Sequence, residues 1–228
     1  MAKISAGSYD LNKWLFGGYE KDIVSVVYGA SGTGKTNFCL LAAVSQAKKG
    51  NKVIYVDTEG GFSVERLKQL ALDEYENVLK NIFLLKPTNF LEQKEVFDKL
   101  NEYLKKEVSL IIVDGMTILY RLDFAIAKGK GNEELQKTNV ELVRQIKVLA
   151  EIARKKEIPV VVTNQVYNFE NESKMVGGDI LKYWGKCWIE LVNENGKRTA
   201  YLRKHRSIKE KSLQFQIYDR GIRKKGWI

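Results

Sequence analysis

The sequence predicts an α/β fold in which a mostly parallel central sheet is flanked by helices and extended by antiparallel strands towards the C-terminus. Apolar runs rich in β-branched residues alternate with helical patterns, as in parallel strands joined by crossover helices. After residue 164 the pattern changes to short strands separated by turn signals, which predicts antiparallel pairing. The chain has 228 residues, 44% of them hydrophobic and only two of them proline, so we expect one domain over residues 1–228.

Five β-branched runs predict the parallel strands, and the apolar residues between these runs recur at helical spacing. Leu142, Ile146 and Leu149 share one helix face, for example, and Pro159 follows the end of that helix. The predicted strands cover residues 23–28, 53–57, 82–85, 110–114 and 160–164, and the predicted helices cover residues 35–49, 64–79, 91–106 and 133–156.

Short strands at residues 187–192, 199–204 and 213–218, with a turn at 193–197, predict the antiparallel extension. Residues 123–132 and 167–182 fit neither a strand nor a helix pattern. Both stretches follow a predicted strand, on the side of the sheet where open α/β folds bind ligands. We therefore expect mobile functional loops there.

The net charge of +10 is concentrated at one end of the chain. Residues 197–228 carry eleven lysines and arginines against Glu210 and Asp219, which is a net charge of +9. A basic end favours an anionic partner, although the same pattern is also typical of a solvated tail.

Cysteine and histidine are too scarce for several common kinds of site. Cys39 and Cys187 are the only cysteines and His205 is the only histidine, which argues against a disulfide framework, a zinc site and histidine-based catalysis. No apolar stretch approaches the roughly 20 residues needed to span a bilayer. We therefore expect a cytoplasmic protein without a membrane partner.

Residues 29–36 match the phosphate-binding pattern G-x-x-x-x-G-K-[ST] and lie between a predicted strand and a predicted helix, as that motif requires. Its glycines let successive backbone N–H groups surround a phosphate, and the helix N-terminus adds positive potential. Lys35 is expected to reach the β- and γ-phosphates, and the Thr36 hydroxyl to ligate Mg²⁺. The predicted phosphate-binding residues are Gly29, Ala30, Ser31, Gly32, Thr33, Gly34, Lys35 and Thr36.

Two acidic residues end strands near this motif. Asp114 follows the apolar run 109–113, where nucleotide-hydrolysing proteins place a carboxylate that holds Mg²⁺. The G-x-x-x-x-G-K-[ST] motif forms a P-loop, and the predicted strand 53–57 follows the helix after this loop. Glu59 comes just after that strand, where a carboxylate can face the γ-phosphate and orient a water for in-line attack. The alternative is that Glu59 caps a helix or is merely exposed.

Several segments of the sequence are informative together: 4–8 (ISAGS) with Leu11 and 17–18 (GG), the P-loop at 29–36, 57–60 (DTEG), 65–67 (ERL), 119–121 (LYR) and 162–166 (VTNQV). Together these segments resemble the core of the RecA-type recombinases, and most closely their archaeal and eukaryotic branch. The short N-terminus and the basic strand end at 204–206 (KHR) make the chain most similar to the archaeal paralogues of this family. The resemblance covers essentially the whole chain and implies a RecA-like P-loop ATPase core that binds ATP and Mg²⁺.

The resemblance also implies roles for single residues at the nucleotide. Glu59 would be the catalytic carboxylate, acting beside Lys35. Gln165 would sense the γ-phosphate and relay its presence to the following loop. Arg66 would pack on the adenine.

Further implied roles concern DNA and a neighbouring subunit. Arg121, at the start of the first loop, would contact DNA. Apart from the resemblance, the charges of Lys128 and Lys130 in that loop, and of the C-terminal basic cluster, predict that they hold DNA through its phosphates. Lys204 and Arg206 would reach the nucleotide of a neighbouring subunit, which implies a homo-oligomer. The alternative for this last pair is a basic edge strand that discourages aggregation.

The chain departs from the recombinase pattern in two ways. We expect no helix-hairpin-helix domain before the core, and the second loop carries Glu170 and Glu172, which repel a phosphate backbone. The first departure disfavours filament assembly of the recombinase kind, and the second disfavours strand exchange. We expect an ATP-binding, weakly ATP-hydrolysing DNA-binding protein that assists homologous recombination and DNA repair.

The expected partners are single-stranded or branched DNA, the main recombinase, and junction-processing or replication proteins. A nucleotide-switched protein-interaction module with little direct role on DNA is the main alternative, favoured by the acidic second loop. A P-loop kinase for a small molecule is a second alternative. It is disfavoured by the absence of an evident arginine-rich lid and by Glu59, which suits water activation better.

Overall fold

The computed structural model describes residues 2–104, 107–169, 172–175 and 178–226, with no description of the side chains of residues 167–179. The strands are β1 (Lys3–Ile4), β2 (Tyr19–Glu20), β3 (Val24–Gly29), β4 (Lys52–Asp57), β5 (Ile82–Leu85), β6 (Val108–Asp114), β7 (Val160–Phe169), β8 (Glu172–Met175), β9 (Gly185–Glu194), β10 (Lys197–Lys204), β11 (Lys211–Tyr218) and β12 (Gly221–Lys224). The helices are α1 (Tyr9–Trp14), α2 (Lys35–Ala47), α3 (Val64–Ala71), α4 (Tyr75–Lys80), α5 (Phe90–Asp98), α6 (Leu100–Tyr103), α7 (Ile118–Lys130), α8 (Asn132–Lys156) and α9 (Gly178–Trp184).

One large sheet runs in the order β12-β11-β10-β9-β3-β7-β6-β4-β5, and β8 pairs with β7 beside this path. The pairs from β9 through β5 along this order are all parallel. The pairs among β9, β10, β11 and β12 are antiparallel. The predicted fold class, a mostly parallel sheet with a C-terminal antiparallel extension, is confirmed.

The parallel strands are apolar on both faces because helices cover both faces of the sheet. Val27 of β3 belongs to a core shared with α2, and neighbouring Val26 belongs to a second core on the opposite face. The second core contains Leu142, Ile146 and Leu149 of α8, so the helical face predicted from their spacing packs on the sheet.

The antiparallel extension is built on a tight hairpin and is anchored to the P-loop helix. Asn195 and Gly196 join β9 to β10, both with positive φ (51° and 82°), as a two-residue hairpin turn requires. On β11, the Phe215 ring meets Phe38 of α2 edge-on, with ring centroids 5.5 Å apart. The basic end of the chain is therefore fixed against the core beside the P-loop.

Residues 123–132 lie mainly in helices, so the prediction of a mobile loop was wrong. α7 runs from Ile118 to Lys130 and buries Leu119, Tyr120 and Ala127. The Tyr120 hydroxyl donates to Asn139 Oδ1 of α8 at 2.6 Å, which ties the two helices together. Tertiary packing of a few apolar residues thus overrides a polar, glycine-containing pattern.

Other elements also differ from their predicted bounds. The predicted helix at 64–79 is broken at Leu72, whose φ of 54° starts a short 3-10 helix (Leu72–Glu74) before α4. The predicted helix at 91–106 ends at Asp98 and is followed by the short α6, and residues 105–106 lie outside the described residues. Much of 167–182 is ordered into the end of β7, β8 and α9.

Among the described residues, no helix has the length and apolar character needed to cross a membrane.

Replacing Phe215 by Ala should lower the free energy of unfolding by about 3–5 kcal/mol, because a large buried aromatic side chain leaves a cavity against α2. Urea denaturation checks this value. Gln216→Ala, at an exposed position on the same strand, is the matched control and should change the free energy by less than about 0.5 kcal/mol. A small effect at Phe215 would mean that the extension is not part of the core.

Candidate functional site

The P-loop lies between β3 and α2, at the carboxyl edge of the parallel strands. Gly32 and Gly34 have φ of 74° and 109°, a conformation that L side chains rarely adopt. Lys35 Nζ donates to the carbonyls of Gly29 (3.0 Å) and Ala30 (2.9 Å), so the lysine folds across the loop. Burial lowers the pKa of Lys35, against the opposing effect of Glu59 and Asp114.

The N-terminus of α2 is open towards a cleft of about 500 Å³. Gly34 precedes the helix and supplies no side-chain cap, so the backbone N–H groups of the first turn have no capping side chain. Such a helix end is a ready anion site. The cleft is lined by Ser31, Gly32, Gly34, Lys35, Thr36, Asn37, Glu59, Arg198 and Ile217.

Asp114 is held rigidly at the end of β6. Its Oδ2 accepts from the Tyr55 hydroxyl at 2.8 Å and its Oδ1 from the Thr163 hydroxyl at 2.7 Å. A Cβ added at Gly61 would lie 3.2 Å from Thr36 Oγ1 and 3.8 Å from Asp114 Oδ2, so both oxygens adjoin one point. A hydroxyl and a carboxylate fit Mg²⁺, which prefers oxygen ligands and keeps several waters.

Glu59 stands on a turn that Asp57 organises. The two carboxylate oxygens of Asp57 accept from the N–H groups of Gly61 and Phe62, each at 3.0 Å. Glu59 Oε2 accepts from Gln165 Nε2 at 2.9 Å. Partial burial raises the pKa of Glu59, and the hydrogen bond from Gln165 opposes that rise. Two residues predicted to act at the γ-phosphate are therefore in direct contact.

Gly115 permits the turn that carries Glu59 to approach β6. The sequence analysis did not identify this glycine. Its φ is 98°, and a Cβ there would lie 2.4 Å from Thr58 Oγ1 and 2.6 Å from Glu59 Cγ. The Thr58 hydroxyl donates to the Gly115 carbonyl at 2.6 Å. A glycine directly after a strand-ending aspartate is the signal that marks such a close approach.

Comparison with known proteins shows which family the chain belongs to. The model of the family described as Rad51 matches residues 1–225. The chain belongs to the Rad51 family. The resemblance to RecA-type recombinases is therefore confirmed.

Archaeal members of the Rad51 family are similar to the chain over nearly its whole length. A relative from Methanobrevibacter smithii, named DNA repair and recombination protein RadB, is 41% identical over 223 residues, which is 93% of this chain and 92% of the relative. A relative of the same name from Methanocaldococcus jannaschii is 39% identical over 212 residues, which is 93% of this chain and 98% of the relative. The crystal structure of a RadB recombinase superposes with a TM-score of 0.81 at 35% identity, covering 98% of this chain and 100% of that chain. The predicted similarity to the archaeal paralogues is also confirmed.

Arg66 of this Rad51-family chain bridges α3, α2 and the end of β11. Its guanidinium donates to Asn37 Oδ1 at 2.8 Å and to the carbonyls of Tyr218 (2.9 Å) and Asp219 (3.0 Å). Asn37 lines the cleft, so Arg66 lies at the cleft's rim. Its role at the adenine stays a prediction.

The predicted DNA-binding residues lie on α7 and not on a loop. Arg121, Lys128 and Lys130 are all exposed on this helix. Arg121 lines a small cavity with Glu59 and Gln165, which places it beside the Glu59–Gln165 pair. Contact between α7 and DNA stays a prediction. Glu170 lies outside the described residues, and Glu172 is in β8.

Lys204 and Arg206 make their contacts within their own chain and do not line the cleft beside the P-loop. Arg206 Nε donates to buried Glu20 at 2.6 Å, and the other guanidinium nitrogens bind Asp22 at 2.7 and 2.5 Å. The hydrogen bond from Arg206 lowers the pKa of Asp22. Lys204 Nζ donates to the Lys182 and Gly185 carbonyls at 3.3 and 3.2 Å. Glu20 and Asp22 precede β3, whereas the P-loop follows it. Arg206 therefore lies at the opposite end of β3 from the P-loop.

Gly115→Ala should lower the free energy of unfolding by more than about 2 kcal/mol, because the methyl group overlaps Thr58 and Glu59 and the positive φ is strained. Gly129→Ala, inside α7 with nothing within 4 Å, is the control and should raise stability by about 0.5–1 kcal/mol. Urea titration measures both. Equal free energies of unfolding for the two variants would show that the turn carrying Glu59 does not pack closely against the end of β6.

Proposed function

We propose that this Rad51-family chain binds ATP with Mg²⁺, hydrolyses it weakly, binds DNA and assists homologous recombination and DNA repair. The observation that carries the proposal is the Glu59–Gln165 pair, which adjoins the P-loop cleft containing Lys35 and Thr36. The names of the RadB relatives support a role in repair and recombination.

ATP binding rests on the P-loop and α2. The N–H groups of residues 31–36 and the N-terminus of α2 attract the phosphates. Lys35 exchanges its two backbone carbonyl partners for phosphate oxygens. Thr36 and Asp114 would hold Mg²⁺, and the ion would supply positive charge that offsets the charge of the phosphate chain.

Hydrolysis rests on Glu59. Its carboxylate orients a water and accepts a proton from it as the water oxygen attacks the γ-phosphorus. The bond from that phosphorus to the β–γ bridging oxygen breaks, giving ADP and inorganic phosphate. A raised pKa makes Glu59 a stronger base than an ordinary glutamate. Turnover is weak in a single chain because Arg206, the candidate for an arginine supplied in trans, lies far from its own cleft.

DNA binding rests on exposed basic residues near the site. Lys128 and Lys130 end α7, and Arg121 begins it beside Gln165. Gln165 belongs to β7, which continues into the pairing with β8. If a γ-phosphate takes the hydrogen bond of Gln165 away from Glu59, the position of the chain that follows Gln165 in β7 changes. The nucleotide state is thereby coupled to DNA binding.

A second candidate function is favoured by an exposed apolar surface on α7 and α8. Leu122 and Ile126 are each 59% exposed and Val140 is 66% exposed. Such a surface is typical of protein docking. It supports a nucleotide-switched module that binds the main recombinase or a junction-processing or replication protein and has little direct role on DNA.

Glu59→Gln should keep ATP binding and lower the rate of ATP hydrolysis at least about 100-fold, because the amide cannot accept the proton. Lys35→Ala should lose ATP binding itself, which separates the two roles. Calorimetric binding of ATP and release of phosphate are the measurements. Unchanged turnover by Glu59→Gln would assign the catalytic role to another group.

Charge reversal at Lys128 and Lys130 should weaken binding to single-stranded DNA and reduce the slope of log affinity against log salt by about 1 per lysine. Labelled oligonucleotides titrated at two salt concentrations, with ADP or a non-hydrolysable ATP analogue, measure this. Reversal of Lys147 and Lys155, which pair with Glu151 on α8, is the control. If the wild-type chain binds no DNA under any of these conditions, the protein-interaction module becomes the better account.

A further inference from the structure

Arg198 of β10 lies beside the P-loop although it is distant from it in sequence. It is in register with Asn193 of β9 and Phe215 of β11. Ala200, two residues along the same strand, is buried in the core shared with α2. Side chains two apart share a face of a strand, so Arg198 is on the α2 side of the sheet.

The Arg198 side chain lines the cleft together with Ser31, Gly32, Lys35 and Thr36. Its Nε is buried and has no hydrogen-bond partner among the described residues. A buried charged donor without a partner is unfavourable. Charged side chains that are removed from water usually have an opposite charge as a partner. Arg203, on the same strand, has such a partner, since its guanidinium binds Glu190 at 2.6 Å.

The position of Arg198 is fixed relative to the P-loop. A Cβ added at Gly34 would lie 3.0 Å from Ile217 Cδ1 of β11, so this strand touches the loop directly. The ring contact between Phe38 and Phe215 holds the same strand against α2. Because β10 pairs with β11, the backbone of Arg198 is carried on a rigid support.

We propose that Arg198 binds the phosphate chain of the nucleotide from within the same chain. The inference rests on the proposed function and adds a residue to it. A guanidinium matches phosphate oxygens with paired donors, and rotation of the side chain into the cleft would give Nε the partner that it lacks. This arginine acts in cis, whereas Arg206 is directed away from its own cleft.

The test compares wild-type protein with Arg198→Gln, using Arg203→Gln as the matched control on the same strand. Affinities for ATP and for inorganic tripolyphosphate, which has neither base nor ribose, are measured with Mg²⁺ by displacement of a fluorescent ADP analogue. Arg198→Gln should weaken both ligands about 10- to 100-fold, as expected for loss of a charge-assisted hydrogen bond. Arg203→Gln should leave both affinities unchanged.

Arg198→Lys covers the case in which the glutamine variant does not fold. It keeps the charge but not the paired donors, so it should show an intermediate loss. If Arg198→Gln weakens ATP but leaves tripolyphosphate unchanged, the residue binds the base or ribose and the inference is overturned. Unchanged affinities for both ligands also overturn it. Failure of the wild-type chain to bind ATP overturns the proposed function and this inference with it.

Discussion

The carboxylate of Asp114 joins three strands at the edge where the site is built. Tyr55 reaches it from β4 and Thr163 from β7, while Asp114 itself ends β6. The Thr163 hydroxyl also accepts the Gly115 N–H at 2.7 Å, which fixes the backbone that leaves β6. With these hydrogen bonds in place, the turn that carries Glu59 can lie against Gly115, and Thr36 and Asp114 face one point. Loss of either hydroxyl donor would leave the buried Asp114 carboxylate partly unsatisfied, which is costly in the interior of a protein.

The antiparallel extension gives the P-loop a second wall. Parallel strands alone would leave the cleft bounded by the P-loop and the Glu59 turn. β10 and β11 add Arg198 and Ile217 on the remaining side, and they do so because Phe215 and Phe38 share the core. The strongly basic end of the sequence is therefore not simply a solvated tail. Arg198 lines the cleft beside the P-loop, and Arg206 forms ion pairs with Glu20 and Asp22, which precede β3.

The sequence predicted the fold class, the P-loop and the positions of Glu59 and Asp114, because each of these depends on local pattern. The contact between Gln165 and Glu59 depends on the order of strands in the sheet, which local pattern does not show. Only the resemblance to a known family implied that both residues act at the γ-phosphate. α7 was mistaken for a loop because its helix is stabilised by contacts with α5 and α8 that local pattern does not show. Arg198 was missed for a related reason. It is one of eleven basic residues in the last 32, and only the register set by the Asn195–Gly196 turn separates it from the others.

The ion pairs of Arg206 would place a cost on any association that recruits this arginine. Glu20 is only 2% exposed and has Arg206 as its closest cationic partner, at 2.6 Å. Any assembly that passes this arginine to a neighbour's nucleotide leaves a buried carboxylate with weaker compensation, so the free energy gained at the new interface is reduced by what the donor chain loses. In such an assembly, association would compete with the internal stability of the donor chain, and a triphosphate bound by the neighbour would favour the transfer of the arginine. The ion pairs of Arg206 with Glu20 and Asp22 therefore set a free-energy cost for any interface that would use this arginine.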